Sequence, residues 1–114
     1  KEYPMAGAIT GVCEKKERLI RFGYVTIEPE QGQEGLLRQG EQIRGHEFHY
    51  FDSTNNGCDC IAGKPVGKRS WTCIHADRSR FIGFPHLYYP SCPDFVINFV
   101  EQCRNWNRKR KGAK

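Results

Sequence analysis

Two histidines, a glutamate and two aromatic residues stand directly behind a glycine in Arg44-Gly45-His46-Glu47-Phe48-His49-Tyr50. A second dense string follows at Gly83-Phe84-Pro85-His86-Leu87-Tyr88-Tyr89-Pro90-Ser91. Histidine changes charge near neutral pH, so it is the commonest general acid and base. Placed beside a cysteine, it keeps the thiol deprotonated and then delivers a proton to the leaving group. His86 is the candidate for that role; a satisfied structural histidine is the alternative. If Gln42–Phe51 is a strand, its period of two puts His46, Phe48 and Tyr50 on one face and Glu47 and His49 on the other. The expectation is that the aromatic face is buried and that Glu47 and His49 reach a cleft. A local Glu–His pair that only holds the strand is the competing reading.

Cys58-Asp59-Cys60 and Cys73-Ile74-His75 form two further pairs, each with one intervening residue. On strands of one hairpin, Cys58, Cys60, Cys73 and His75 could offer three thiolates and an imidazole to a tetrahedral zinc ion. Zinc-binding cysteines are usually spaced by two or more residues, however. Packed or exposed thiols are therefore the expectation, with no metal; a Cys58–Cys73 disulfide is a third possibility.

The chain has 114 residues, 38% of them hydrophobic, which is one domain at most or part of one. No apolar run approaches the ~20 residues of a membrane span. The start, Lys1-Glu2-Tyr3-Pro4-Met5, has no signal-peptide core and no initiating methionine, as expected of a fragment or a processed chain. The net charge of +5 is local. Six of the 18 basic residues lie in residues 104–114, and all 13 acids lie before them, so the first 103 residues carry 12 basic and 13 acidic side chains. A terminal basic run can hold phosphate charge, but residues 105–114 are expected to be a solvated, disordered tail. Six cysteines without an export signal read as reduced cytoplasmic thiols.

The chemistry-bearing strings need elements to hold them. Arg18–Ile27 reads as a strand rich in Val, Ile, Tyr and Phe. Pro29–Gly40 reads as a loop, Asp52–Gly57 as a turn cluster, and Cys58–Ala62 and Ser70–His75 as short strands. Phe81–Tyr89 is another apolar stretch. Pro93 suits the first turn of a helix, with Ser91 or Cys92 at the cap. Phe95, Val96, Phe99, Val100, Cys103 and Trp106 then recur at helical spacing as one apolar face. Several strands and one helix predict α+β in isolation, or the later half of an α/β sheet.

On its Gly45–Tyr50 and Gly83–Ser91 strings the chain resembles the cobyrinic acid a,c-diamide synthase family, in the C-terminal part of its class I-like glutamine amidotransferase domain. Tyr3-Pro4-Met5-Ala6-Gly7 and Phe22-Gly23-Tyr24-Val25 are also similar to segments of that domain, so the resemblance covers about Tyr3 to Arg104. His86 matches the first histidine of the family's His-Leu-His-Phe string, and Tyr88 replaces the second. The family's nucleophilic cysteine lies in a Glu-Cys-Gly-Gly-type turn ahead of the matching segment, and no cysteine here has that setting.

The resemblance implies residues 1–104 as the C-terminal part of an amidotransferase-like domain, with His86 as its catalytic histidine and His46, Glu47 and His49 as possible cleft residues. For the parent enzyme it implies ATP- and magnesium-dependent amidation of the acetate side chains of a corrinoid or sirohydrochlorin-type substrate, with glutamine as nitrogen source. This segment would bind no cofactor, would need the upstream half as partner, would be inactive alone, and would self-associate through surface that the missing half covers. Two rival classes are a zinc-stabilised nucleic-acid-binding module and a stand-alone interaction protein that keeps a degenerate amidotransferase half.

Overall fold

Alternation along residues 43–49 organises the molecule. In the computed structural model, which describes residues 1–112, Ile43, Gly45 and Glu47 are buried while Arg44 and Phe48 are exposed. This strand is β3 (Ile43–His49), and it lies beside β2 (Arg21–Pro29) in an antiparallel ladder that pairs Phe22 with Phe48, Tyr24 with His46 and Ile27 with Ile43. The strands β5 (Cys60–Gly63), β6 (Ser70–Cys73) and β9 (His86–Tyr88) complete a five-stranded sheet in the order β6-β5-β2-β3-β9, with every neighbour antiparallel. Two small ladders flank it: β1 (Cys13–Lys15) with β4 (Phe51–Ser53), and β7 (His75–Ala76) with β8 (Phe81–Ile82). The result is a mixed α/β chain, several strands with one C-terminal helix, as the strand and helix patterns predict.

One face of the sheet carries the core. Val25, Ile27, Ile43, Cys60, Ala62 and Cys73 project from it, and Leu36, Leu37, Ile74, Ala76 and Phe95 cover it. The covering loop was expected as loop; what the glutamine- and glycine-rich composition of residues 29–40 hid is that Leu36 and Leu37 are buried. The Asn98 side-chain amide, itself buried, donates to the Leu36 carbonyl at 3.0 Å and ties this loop to the helix.

The opposite face is uncovered. Phe22, Tyr24, Phe48 and Tyr88 are all more than half exposed there. This corrects the expectation that the aromatic face of β3 is the buried one. Alternation tells which residues share a face, but the covering elements decide which face goes inward, and here Leu36, Leu37 and Ile74 pack over the Glu47 side.

The helix α1 runs Pro93–Gly112. Its first turn packs through Phe95, whose ring meets Phe81 at 5.0 Å and Tyr89 at 6.1 Å between centroids. Of its described residues only Phe95 and Asn98 are buried, and Phe99 and Trp106 remain exposed on the expected apolar face. Residues 105–112, expected as disordered tail, continue the helix; residues 113–114 lie outside the described residues. Lys109, Arg110 and Lys111 complement the carbonyl end of the helix dipole. Arg108 and Arg110 also donate to Asn105 and Asn107 one turn back.

Candidate active site: two histidine clusters on opposite faces of one strand

The expected site residues divide by strand geometry. In an antiparallel ladder, directly opposed residues place their side chains on the same face. β3 pairs with β9 so that His46 faces His86, Gly45 faces Leu87 and Arg44 faces Tyr88. His46 also faces Tyr24 of β2. Tyr24, His46 and His86 therefore form a row across three strands on the uncovered face. The His46 ring is wedged edge-on between Tyr24 at 5.2 Å and Phe22 at 5.9 Å. His86 is the first residue of edge strand β9, exposed, at a depression lined also by Ile74, Phe81, Gly83 and Tyr89. An exposed imidazole at a sheet edge can exchange protons with a group brought against it from outside.

Ser91, one of two expected helix caps, acts elsewhere. Its hydroxyl accepts from the Arg44 amide at 2.8 Å and donates to the Tyr88 carbonyl at 2.6 Å. It clamps the end of β9 against β3.

Glu47 and His49 meet on the core side. The His49 ring contacts the Phe51 carbonyl through Nδ1 at 2.7 Å and Glu47 Oε1 through Nε2 at 3.0 Å. A carbonyl can only accept, so Nδ1 carries hydrogen. The Nε2 contact with a carboxyl oxygen then requires one more proton, on the ring or on Glu47. The pair is thus joined by that proton, and Glu47 is buried with Oε2 unpartnered among the described residues. One carboxyl oxygen of Glu47 is bonded locally, and both side chains line a cleft of about 40 Å³ with Arg21, Asp52, Trp71, Cys73 and Phe84. Arg21 lies over the Trp71 ring at 4.4 Å. The Asn56 side-chain amide holds the Asp52 carboxyl below its ordinary value. Phe84 closes the cleft by stacking flat on His49, with centroids 4.1 Å apart and planes 11° apart.

Sequence reasoning missed Phe84, Arg21 and Trp71 as parts of this cleft. Only Phe84 carried a signal, its place two residues before His86. Arg21 directly opposes His49 in the β2–β3 ladder, and Trp71 of β6 reaches the cleft beneath the Arg21 guanidinium; both placements follow from strand register, which composition does not give.

The four candidate zinc ligands do not assemble. Cys60 and Cys73 are buried and directly opposed in the β5–β6 ladder, whereas Cys58 is exposed. The His75 ring donates through Nε2 to the Asn55 carbonyl at 3.0 Å. Among the described residues no group of three His, Cys, Asp or Glu side chains is placed to hold a metal ion. Nor is any described helix long and apolar enough to cross a membrane.

A five-stranded antiparallel sheet with one C-terminal helix defines the class: a mixed α/β chain. The chain is 28% identical over 109 residues to cobyrinate a,c-diamide synthase of Caldanaerobacter subterraneus subsp. tengcongensis, 94% of this chain and 24% of that protein. It is 32% identical over 102 residues to the synthase of Listeria innocua, covering 85% and 22% respectively. With the synthase of Fusobacterium nucleatum it shares 33% over 100 residues, covering 84% and 21%. Over this stretch the chain belongs to the cobyrinate a,c-diamide synthase family, and it spans about a fifth to a quarter of the length of these curated relatives. No family model matches the chain, and no solved structure matches it.

Proposed function

We propose that this chain supplies the histidine side of a glutaminase site within a larger ATP-dependent amide ligase. The observation that carries this reading is the coincidence of two things. The chain is similar along most of its length to cobyrinate a,c-diamide synthases, and its one histidine in the Gly-Phe-Pro-His-Leu setting is exposed at the start of an edge strand.

In this reading His86 draws the proton from a cysteine thiol carried by the upstream part of the parent protein. The thiolate bonds to the carboxamide carbon, the C–N bond breaks as His86 gives its proton to the leaving ammonia, and water then hydrolyses the thioester to glutamate and returns the thiol, so the covalent intermediate splits one difficult step into two easier ones. His46, held between Phe22 and Tyr24, lines the approach. The released ammonia amidates the acetate side chains of a corrinoid or sirohydrochlorin-type acid in the synthetase part of the parent. ATP and magnesium would serve that distant part. The uncovered aromatic face is where the upstream half, or a second copy, would pack, and the parent works in the cytoplasm.

Alone, the chain is expected to release no ammonia from glutamine above background. General-base help is typically worth about 10²–10⁴-fold and does not replace a covalent nucleophile. In the full-length parent, His86→Ala should abolish glutamine-dependent amidation and leave amidation from free ammonia intact. Glutamine hydrolysis by the isolated chain that is lost on Cys73→Ala would place the nucleophile here instead and overturn this reading.

A further inference from the structure

The Gly45–His49 segment touches the Gly83–His86 segment at several independent points. The backbone carbonyl of His86 lies over Gly45, where a Cβ would stand 2.8 Å from its oxygen. Any larger residue at 45 would push β9 off β3. Two residues before His86, Phe84 lies flat on the His49 ring at 4.1 Å. That ring is held at both nitrogens, by Glu47 and by the Phe51 carbonyl, so it cannot turn. Gly83 is packed against Ile74, where a Cβ would stand 2.8 Å from Cγ1. Between Phe84 and His86 stands Pro85, whose ring fixes φ. The chain from 83 to 86 is thus pinned on both sides of a stiff residue.

We infer that His49, locked by Glu47, is a positioning residue for His86: its ring is the seat on which Phe84 rests, and that contact sets where edge strand β9 begins. The inference rests on the glutaminase reading of His86 for its catalytic meaning, but its structural content stands on this chain alone. It also accounts for a buried glutamate on a core face. Glu47 anchors the imidazole under Phe84, which could otherwise rotate and move the seat with it.

Amide hydrogen exchange on the chain reads the seat directly. Phe84 is only half-buried, so Phe84→Ala should fold. The amides of His86–Tyr88 should then exchange about 10-fold faster or more, while those of the β2–β5 ladder stay protected, because β9 opens locally. His49→Ala should do the same, and Phe84→Tyr, which keeps the ring, should restore protection. Unchanged β9 exchange in Phe84→Ala, or equal acceleration across the whole sheet, would overturn the inference.

In the full-length parent, Phe84→Ala should lower kcat for glutamine-dependent ammonia release by on the order of 10²-fold, as a misplacement near 1 Å does. KM for glutamine should change little, and Phe84→Tyr should recover the rate. Faster β9 exchange with undiminished glutaminase activity would leave the seat standing and remove the catalytic reading of His86. Lost activity without faster β9 exchange would remove the seat.

Discussion

Cys60 and Cys73 stand directly opposite each other in the β5–β6 ladder, both buried and neither bridged. Burial pushes both thiols up to about 12, with Cys73 adding to the effect at Cys60 and the Glu47 carboxylate adding to it at Cys73. At pH 8 a thiol of that pKa is thiolate to only about one part in 10⁴, and the thiolate is the reacting form. A short iodoacetamide pulse followed by mass spectrometry should therefore label the exposed Cys13, Cys58 and Cys103. Cys60 and Cys73 should react only after unfolding. Labelling of Cys73 in the native chain as fast as Cys58 would contradict this packing.

Gly57 should tolerate no side chain. Its φ is +86°, a conformation L-residues rarely adopt, and a Cβ there would collide with the Ile74 carbonyl. Gly57 and Ile74 are bridged, and Ile74 itself has φ 71° while almost fully buried. Gly57→Ala should lower stability by about 1–3 kcal/mol in urea unfolding, from strain and displacement together. Gly32→Ala is the control, with a similar φ of +82° but nothing within 4 Å. Equal losses at the two positions would show that the Ile74 contact adds nothing.

Asp77 builds the turn between β7 and β8. Its carboxylate accepts from the Ser79 and Arg80 amides, at 2.7 and 2.8 Å, and from the Ser79 hydroxyl and the Arg80 guanidinium. The Ser79 amide contributes most to holding its pKa down to about 2, from 3.8. A depressed folded pKa means stabilisation that is present above the unfolded value and is lost as pH falls through the folded one. Asp77→Asn should therefore be less stable than the parent chain above pH 3.8, with the gap closing as pH approaches 2. The Asp77 side chain is 44% exposed, so solvent screening keeps the gap small. A gap that widens below pH 3 would reverse the sign and sink the assignment.

Asn98 should matter more than its place on the helix suggests. It is 5% exposed, and its amide satisfies the Leu36 carbonyl. Asn98→Ala should lower stability by about 1–3 kcal/mol, the usual consequence of leaving a buried acceptor without its donor. The segment 30–42 should become the first site of protease cleavage. Cleavage that still begins elsewhere would mean that Leu36 and Leu37 hold the loop without it.

Much of the architecture was legible locally. The Val, Ile, Tyr and Phe content of residues 18–27 and the alternation of residues 42–51 marked β2 and β3 to within a few residues. Pro93 with the Phe95 periodicity marked the helix start. The strand expected over Ser70–His75 is broken at Ile74, whose positive φ separates β6 from β7. Nothing in the residue types predicts that break, since it answers to the bridge with Gly57 and the packing of Gly83.

By itself the sequence determined which side chains travel together along a strand: His46 with Phe48, and Glu47 with His49. The period of a strand and the stiffness of proline are properties of a few neighbouring residues. Only the tertiary structure decided that Glu47 turns inward and the aromatics outward, because that choice depends on Leu36, Leu37 and Ile74 arriving from distant segments. It alone joined the two dense strings, pairing His46 with His86 and stacking Phe84 on His49. Strand register and ring contact between residues 35 or more positions apart are set by packing over the whole sheet, which no local window contains.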